Sequence, residues 1–520
     1  MTTVGQALVA GLAARGVDVV FGIPGYHTIE LYRGLSGSGI RHITPRHEQG
    51  ACFMADGYAR VSGKPGVAFV ITGPGLTNAL TAMAQARADS VPMLVISGVN
   101  RRASLGKGLG LLHELPDQAA MVATLCPTWQ LDDPADLDAV LDAAFAKMAT
   151  GRPGPVHIEV PVDVMPMQAP EPRAPAPLPV PKMPNVEHAA ALLNDAARVV
   201  ILAGGGCRGQ GDAVQALAHA LDAPVVMTTN ARGILHDHPL GVPASMSLTA
   251  ARDLVRGADR VLALGTELGP TDYDMYVRGG LPDLSGMIRV DLCTDQLARH
   301  SCALALQGDV GAVARALLSH IAPHSGWGMA AAAEARKACR AELPTCNPQM
   351  PAQLDMVEAI RAAVPGAIIV GDSTQPVYAA NLFFDHDRPG GWFNAATGYG
   401  ALGFGPGAAV GAAIAAPGVP VVCLIGDGGL QFSPAELRVA VDEGLDVTFV
   451  VWNNAAYREI ADNMRDAGIA VIGCTPSPLK LQPFAAACDL PFASVAQVPA
   501  EMRAALAGKG PRLIEVRITI

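Results

Sequence analysis

Short, almost wholly apolar runs recur along this chain, separated by stretches with helical periodicity. In the N-terminal third they are Val17–Phe21, Gly66–Thr72, Pro92–Gly98 and Pro155–Val160. The middle third has Arg198–Ala203, Pro224–Thr228, Arg260–Leu264 and Met287–Val290, and the last third Ala367–Val370, Val419–Ile425 and Asp446–Trp452. A continuous apolar strand is covered on both faces, as in a parallel sheet flanked by helices. The expected fold class is α/β: three consecutive doubly wound parallel-sheet domains. The opening MTTVGQALVAGLAARG reads as an amphipathic helix feeding the first strand, without the basic start of a signal peptide. The longest apolar stretch, Ala408–Ile425, is broken by Pro417, Gly418 and Pro420, so it reads as helix, turn and buried strand rather than a membrane span.

Two seams divide the pattern. Pro166–Pro184 holds eight prolines and reads as an extended linker. A second seam surrounds a helical Ala/Glu/Arg stretch between Pro323 and Pro351. The expected domains are 1–165, 186–325 and 351–520, with linkers at 166–185 and 326–350. Half of the 520 residues are hydrophobic and 16% are charged, which favours folded domains over disorder. A formal charge of −10 with no Lys/Arg-rich run argues against nucleic acid or anionic membrane as a partner. The ten cysteines form no CxxC pair, so reduced, buried thiols in a cytoplasmic protein are expected.

The last third carries the most specific chemistry. Val421-Val-Cys-Leu-Ile-Gly-Asp-Gly-Gly429 runs a buried strand into a glycine turn with one acid, and a later strand ends in Trp452-Asn453-Asn454. Ser433, Pro434 and Glu436 suit the start of an intervening helix, as N-cap, first turn and capping box. Strand ends of one parallel sheet share an edge, so Asp427 and Asn454 can meet there. A carboxylate and an amide oxygen are hard donors suited to Mg²⁺, and Gly428 and Gly429 let backbone N–H groups approach a phosphate. In the middle third, Gly204-Gly-Gly-Cys-Arg-Gly209 satisfies GxGxxG, but a ribose-binding acid is met only loosely by Asp222. A tight turn without nucleotide is the expectation, with a flavin- or nicotinamide-dependent oxidoreductase as the alternative from another class.

Together, GDG and NN with 24 residues between them resemble the GDG…NN signature of thiamine-diphosphate enzymes. The resemblance extends over nearly the whole chain, to the family of pyruvate decarboxylase and acetolactate synthase. It implies a pyrimidine-binding first domain, a Rossmann-like middle domain and a diphosphate-binding third domain. It also implies thiamine diphosphate and Mg²⁺ as cofactors, and a homodimer or homotetramer with active sites between subunits. The activating glutamate matches Glu48 in Pro45-Arg-His-Glu-Gln-Gly-Ala-Cys; Phe21-Gly-Ile-Pro-Gly25 and Ile71-Thr-Gly-Pro-Gly75 match as well. Such a glutamate, hydrogen-bonded to pyrimidine N1′, favours the tautomer that deprotonates thiazolium C2. In Gly398-Tyr-Gly-Ala-Leu-Gly-Phe-Gly405, Leu402 matches the residue under the cofactor's bend and the Gly400 carbonyl the acceptor from its amino group. Ser373, Thr374 and Gln375 resemble a second diphosphate loop. Asp427, Asn454 and the Ala456 carbonyl match the metal ligands.

The substrate readings are finer. Leu111-Leu-His-Glu114 resembles the decarboxylase branch's histidine pair with one histidine kept, so His113 is a catalytic candidate and Glu114 a departure facing substrate. His27 is a second proton-transfer candidate and Tyr26 a substrate contact. Beyond Asn454, Tyr457 and Glu459 are substrate candidates, and Glu459, Asp462 and Asp466 share a helix face that suits a cationic tail. The runs Gly25–Gly34, Ser97–Arg102 and Leu111–Pro116 are similar to the branch acting on 5-guanidino-2-oxopentanoate, a step of arginine catabolism yielding 4-guanidinobutanal and CO₂. The enzymatic alternative is an acetolactate-synthase-like carboligase acting on pyruvate.

Overall fold

The computed structural model describes residues 2–273 and 279–518. The first of three parallel sheets contains β1 (Val19–Gly22), β2 (Arg41–Ile43), β3 (Gly66–Val70), β4 (Met93–Val99), β5 (Thr128–Gln130) and β6 (Pro155–Pro161), in the order β2-β1-β3-β4-β6-β5. The second contains β7 (Val199–Ala203), β8 (Val225–Met227), β9 (Gly241–Val242), β10 (Arg260–Leu264), β11 (Ile288–Asp291) and β12 (Leu304–Gln307), in the order β12-β11-β10-β7-β8-β9. That is the strand order of a Rossmann fold. The third contains β13 (Ile368–Gly371), β14 (Trp392–Asn394), β15 (Val421–Gly426), β16 (Val447–Asn453), β17 (Phe492–Ala496) and β18 (Arg512–Arg517), in the order β14-β13-β15-β16-β18-β17. It repeats the topology of the first.

Five helices matter for the site: α1 (Glu48–Ser62), α2 (Pro74–Ala88), α3 (Gly328–Cys346), α4 (Phe404–Ala415) and α5 (Arg458–Asp466). One hydrophobic core spans the first and third sheets, with α1 laid against α4. The contact is backbone to backbone: a Cβ on Gly57 would collide with the Ala408 carbonyl, and one on Gly411 with that of Met54. A second core joins the middle and third sheets. Residues 169–186 carry no regular structure and run mostly exposed. The stretch expected as a linker at 326–350 is largely α3, whose Ala332, Ala335, Cys339 and Leu343 are buried in that second core.

Two local expectations are corrected. Ser433 caps nothing; its hydroxyl donates to the Gly403 carbonyl at 2.8 Å. Glu436 leaves the capping box and accepts from the backbone N–H of Arg46 at 3.1 Å, across the interface between the third and first sheets. A buried acceptor facing orphan N–H groups just ahead of α1 outweighs a local cap.

Candidate active site

The third sheet builds one half of the site. Register pairs Gly371 with Leu424 and Gly426 with Trp452, so β13, β15 and β16 deliver Asp372, Asp427 and Asn454 to one edge. Asp427 Oδ1 accepts from the Asn454 backbone N–H at 3.2 Å. Burial pushes the Asp427 carboxyl above the ordinary range, and the backbone amides of Asn454, Asp427 and Gly428 only partly counter this. A buried carboxylate held by amides is a donor suited to a hard cation. Asn454 Oδ1 accepts from the Ala456 N–H at 3.2 Å, and Ala455 sits at φ +54°, which folds the loop tightly after β16.

The glycines beside them are required by close approach. A Cβ on Gly428 would lie 2.5 Å from the Tyr457 ring, and one on Gly429 3.0 Å from Asp372 Oδ1. Asp372, just ahead of the Ser373–Gln375 turn, was not among the candidates read from the sequence. It is buried, held near pKa 6 by burial against several backbone amides, and accepts from Ser373 N at 2.8 Å and Gly405 N at 2.9 Å. It thereby ties the Ser373–Gln375 turn to the start of α4.

These residues line a cavity of about 410 Å³, with Ser373, Thr374, Gln375, Gly400, Leu402, Asp427, Gly428, Gly429, Asn454, Ala456, Tyr457 and Glu459 in its wall. Tyr378 also lines it and was missed in the sequence, where one tyrosine in an apolar helix carries no signal. Asn454 Nδ2 reaches Gln375 Oε1 at 3.4 Å, and Gln375 also hydrogen-bonds Glu459. Burial holds the Glu459 carboxyl above its ordinary range; Asp462 and Asp466 act in the same direction. The acidic stripe is not uniform, because Arg458 and Arg465 both pair with Asp462.

The first sheet carries the remaining candidates. Glu48 opens α1, half-buried, and accepts from Asn78 Nδ2 at 3.1 Å. Asn78 lies on α2, one turn beyond the Ile71–Gly75 match, and was not singled out there. The rings of His27 and His113 stand 5.3 Å apart, so a histidine pair exists although Glu114 replaces the second histidine of the motif. His27 is buried, and desolvation with the neighbouring His113 lowers its pKa. Both Nδ1 atoms are buried without a hydrogen-bond partner among the described residues. Tyr26 stands 70% exposed with its ring edge-on to His27. Glu114 turns back into its own loop, accepting from Leu109 N at 3.1 Å and Leu111 N at 3.0 Å.

Beneath the histidines, Gln118 donates to Ser97 Oγ, Gly98 O and Glu159 Oε2 at 3.0–3.1 Å and accepts from Thr72 and Gly73. A Cβ on Gly73 would strike His113, and one on Gly98 the backbone of His27. The buried amide therefore fixes both turns against which the histidine pair rests.

In the middle sheet, the Gly204–Gly209 turn is closed by its neighbour: Gly206 N donates to the Gly265 carbonyl at 3.0 Å. Asp222, the loosely placed ribose acid, instead caps α3 by accepting from Trp327 N at 2.9 Å and Gly328 N at 3.0 Å. The turn borders a separate cavity of about 200 Å³.

Comparison with known proteins gives three matches in chain order. Residues 2–121 match the N-terminal TPP binding domain of thiamine pyrophosphate enzymes, residues 186–317 the central domain, and residues 372–516 the C-terminal TPP binding domain. The chain is 44% identical to the probable 2-ketoarginine decarboxylase of Pseudomonas aeruginosa, over 91% of this chain and 86% of that one. It is 30% identical to the acetolactate synthase isozyme 1 large subunit of Escherichia coli, over 99% and 93% of the two. It is 32% identical to an acetolactate synthase of Mycobacterium bovis, over 86% and 75%. With three domain matches in order and relatives aligned over almost its full length, the chain belongs to the thiamine pyrophosphate enzyme family.

Proposed function

We propose that the chain decarboxylates a 2-oxo acid with a cationic tail, non-oxidatively, and that 5-guanidino-2-oxopentanoate is the substrate that fits best. The observation that carries this reading is Glu459, a carboxylate in the wall of the cavity that also holds Asp427 and Asn454. A guanidinium presents planar donors to such a carboxylate. The relative named for 2-ketoarginine favours the same class.

Thiamine diphosphate, when bound, supplies the nucleophilic carbon and electron sink that carbon–carbon cleavage needs. Asp427, Asn454 and the Ala456 carbonyl would hold Mg²⁺; their hard oxygens and the buried charge of Asp427 suit that ion. Gly428, Gly429, Ser373, Thr374 and Gln375 would hold the diphosphate. Leu402 and the Gly400 carbonyl would support the bent cofactor. Glu48 would hold a proton at pyrimidine N1′, oriented by Asn78, while His27 and His113 exchange protons with substrate from a partly desolvated position. Ten unpaired cysteines suit a reducing, cytoplasmic setting. Among the described residues, no helix is long and apolar enough to cross a membrane.

The assembly is part of the proposal. The third-domain cavity is walled by residues 373–460, without Glu48, His27 or His113. Large apolar side chains stand exposed beside both halves: Tyr26, Ile29, Leu109 and Leu112 on one, Tyr399, Phe432 and Ile460 on the other. A second copy that covers both patches would bring Glu48 of one chain to Asp427 of the next. Glu48→Gln and Asp427→Asn should each abolish aldehyde formation, and mixing the two after co-refolding should restore it. Activity absent from the mixture but present in a refolded wild-type control would contradict the shared site. Release of 4-guanidinobutanal supports the substrate; acetolactate from pyruvate would instead favour the carboligase named for the 30% relative.

A further inference from the structure

We infer that Gln85 is a positioning residue for the turn carrying Gly400 and Leu402, and that α2 thereby orients both catalytic halves of one chain. The inference rests on the cofactor reading above. Gln85 is fully buried near the C-terminal end of α2, on the first domain, yet its amide serves the third. Oε1 accepts from the Ala401 N–H at 3.1 Å, and Nε2 donates to the Ala395 carbonyl at 3.3 Å. One side chain therefore grips both ends of the 395–401 turn. The Gly400 N–H closes the same turn onto the Ala395 carbonyl at 3.1 Å, with Gly400 at φ +77°.

A second grip lies one turn further along the helix. Nε2 of Gln85 also donates to Asp89 Oδ2 at 2.8 Å, and Asp89 Oδ1 accepts from Thr397 Oγ1 at 2.8 Å. Arg60, from α1, holds Asp89 Oδ2 at 2.7 Å and lies over the rings of Phe393 and Phe404. Gly398 has no room for a side chain, since a Cβ there would sit 2.9 Å from Ala88 Cβ. The turn is thus pressed flush against the end of α2 and hydrogen-bonded at three points.

The other end of the helix faces Glu48. Asn78 and Gln85 are seven residues apart, two helical turns, so they project on the same side. Asn78 holds Glu48 while Gln85 holds the Gly400–Leu402 turn. Should the site form between two copies, the helix would connect the glutamate of one centre to the cofactor support of the other. A buried amide is suited to this, because it supplies donor and acceptor without a charge that burial would penalise.

The test is Gln85→Met, which keeps volume and removes all three hydrogen bonds. Exchange of the cofactor's thiazolium C2 proton for deuterium is followed by NMR in protein loaded with thiamine diphosphate and Mg²⁺. Cofactor dissociation constant and Tm are measured in parallel. Misplacing a catalytic support by a fraction of an ångström predicts that exchange slows by at least about tenfold, with cofactor affinity within about threefold of wild type. Thr397→Val loosens the second grip, should slow exchange in the same direction, and stands in if Gln85→Met does not fold. Exchange at the wild-type rate in the folded variant, or slowing fully matched by lost cofactor affinity, would overturn the inference. A wild-type protein that fails to accelerate exchange over free cofactor would instead sink the cofactor reading, and this inference with it.

Discussion

Replacing Glu459 with Gln isolates the charge in the cavity wall. Gln keeps the volume and can keep the contact with Gln375, so only the carboxylate is lost. A hydrogen bond to a charged group is worth ~1.5–3 kcal/mol, roughly ten- to a hundredfold in kcat/KM. Glu459 is only half-buried, so solvent screening places the expectation at the lower end, about tenfold. Asp462 cannot substitute, because Arg458 and Arg465 already neutralise it. The assay compares CO₂ release from 5-guanidino-2-oxopentanoate and from 2-oxohexanoate, whose tail carries no charge. The variant should lose about tenfold on the first and change less than about threefold on the second. The charge also sets a pH dependence: burial raises the Glu459 pKa, so preference for the cationic acid should fade on acidification from above the ordinary glutamate range. Glu459→Gln should lack that dependence. Equal losses on both substrates, or none on either, would refute the recognition argument.

Two other carboxyls give stability predictions. Asp427→Asn removes a buried charge that desolvation penalises, so the cofactor-free protein should melt no lower than wild type at neutral pH. The rise in Tm on adding thiamine diphosphate and Mg²⁺ should disappear; a persisting rise would remove Asp427 from the metal site. Glu159 is buried and its pKa is pushed up to about 7 by desolvation. A carboxyl raised on folding binds more protons in the native state, so it costs stability as pH climbs through that window. Glu159→Gln should therefore gain stability over wild type at pH 8 but not at pH 5, by at most about 3 kcal/mol, read by urea unfolding.

What could be read in the sequence follows burial. All eleven apolar runs coincide with strands, and all are interior to the sheets. Seven strands carried no signal, and six of them, β2, β5, β9, β12, β14 and β17, are the six sheet edges. Of these, β2, β5, β12 and β17 are partly wet, and β9 and β14, though buried, span only two and three residues, so no continuous apolar run marks them. The seventh, β18, is interior but interrupted by Glu515, which accepts from Asn453 and Ser494. The turn with Asp427 and the Asn453-Asn454 pair was legible because strand and glycine turn are contiguous. Gln85, Asn78 and Gln118 were not, because each acts on backbone or side chains distant in sequence. Glu436 shows the converse: its spacing from Ser433 spelled a local cap, and a partner from another domain won. The Arg458–Asp462–Arg465 spacing was equally visible, yet the sequence reading left Asp462 on the acidic face offered to a cationic tail, whereas both arginines pair with it.

The most direct test of the central claim is CO₂ release by the purified chain from 5-guanidino-2-oxopentanoate and from pyruvate, each with and without thiamine diphosphate and Mg²⁺. The account predicts cofactor-dependent release with strong preference for the guanidino acid and formation of one aldehyde per CO₂. Preference for pyruvate, with acetolactate accumulating in place of aldehyde, would contradict it.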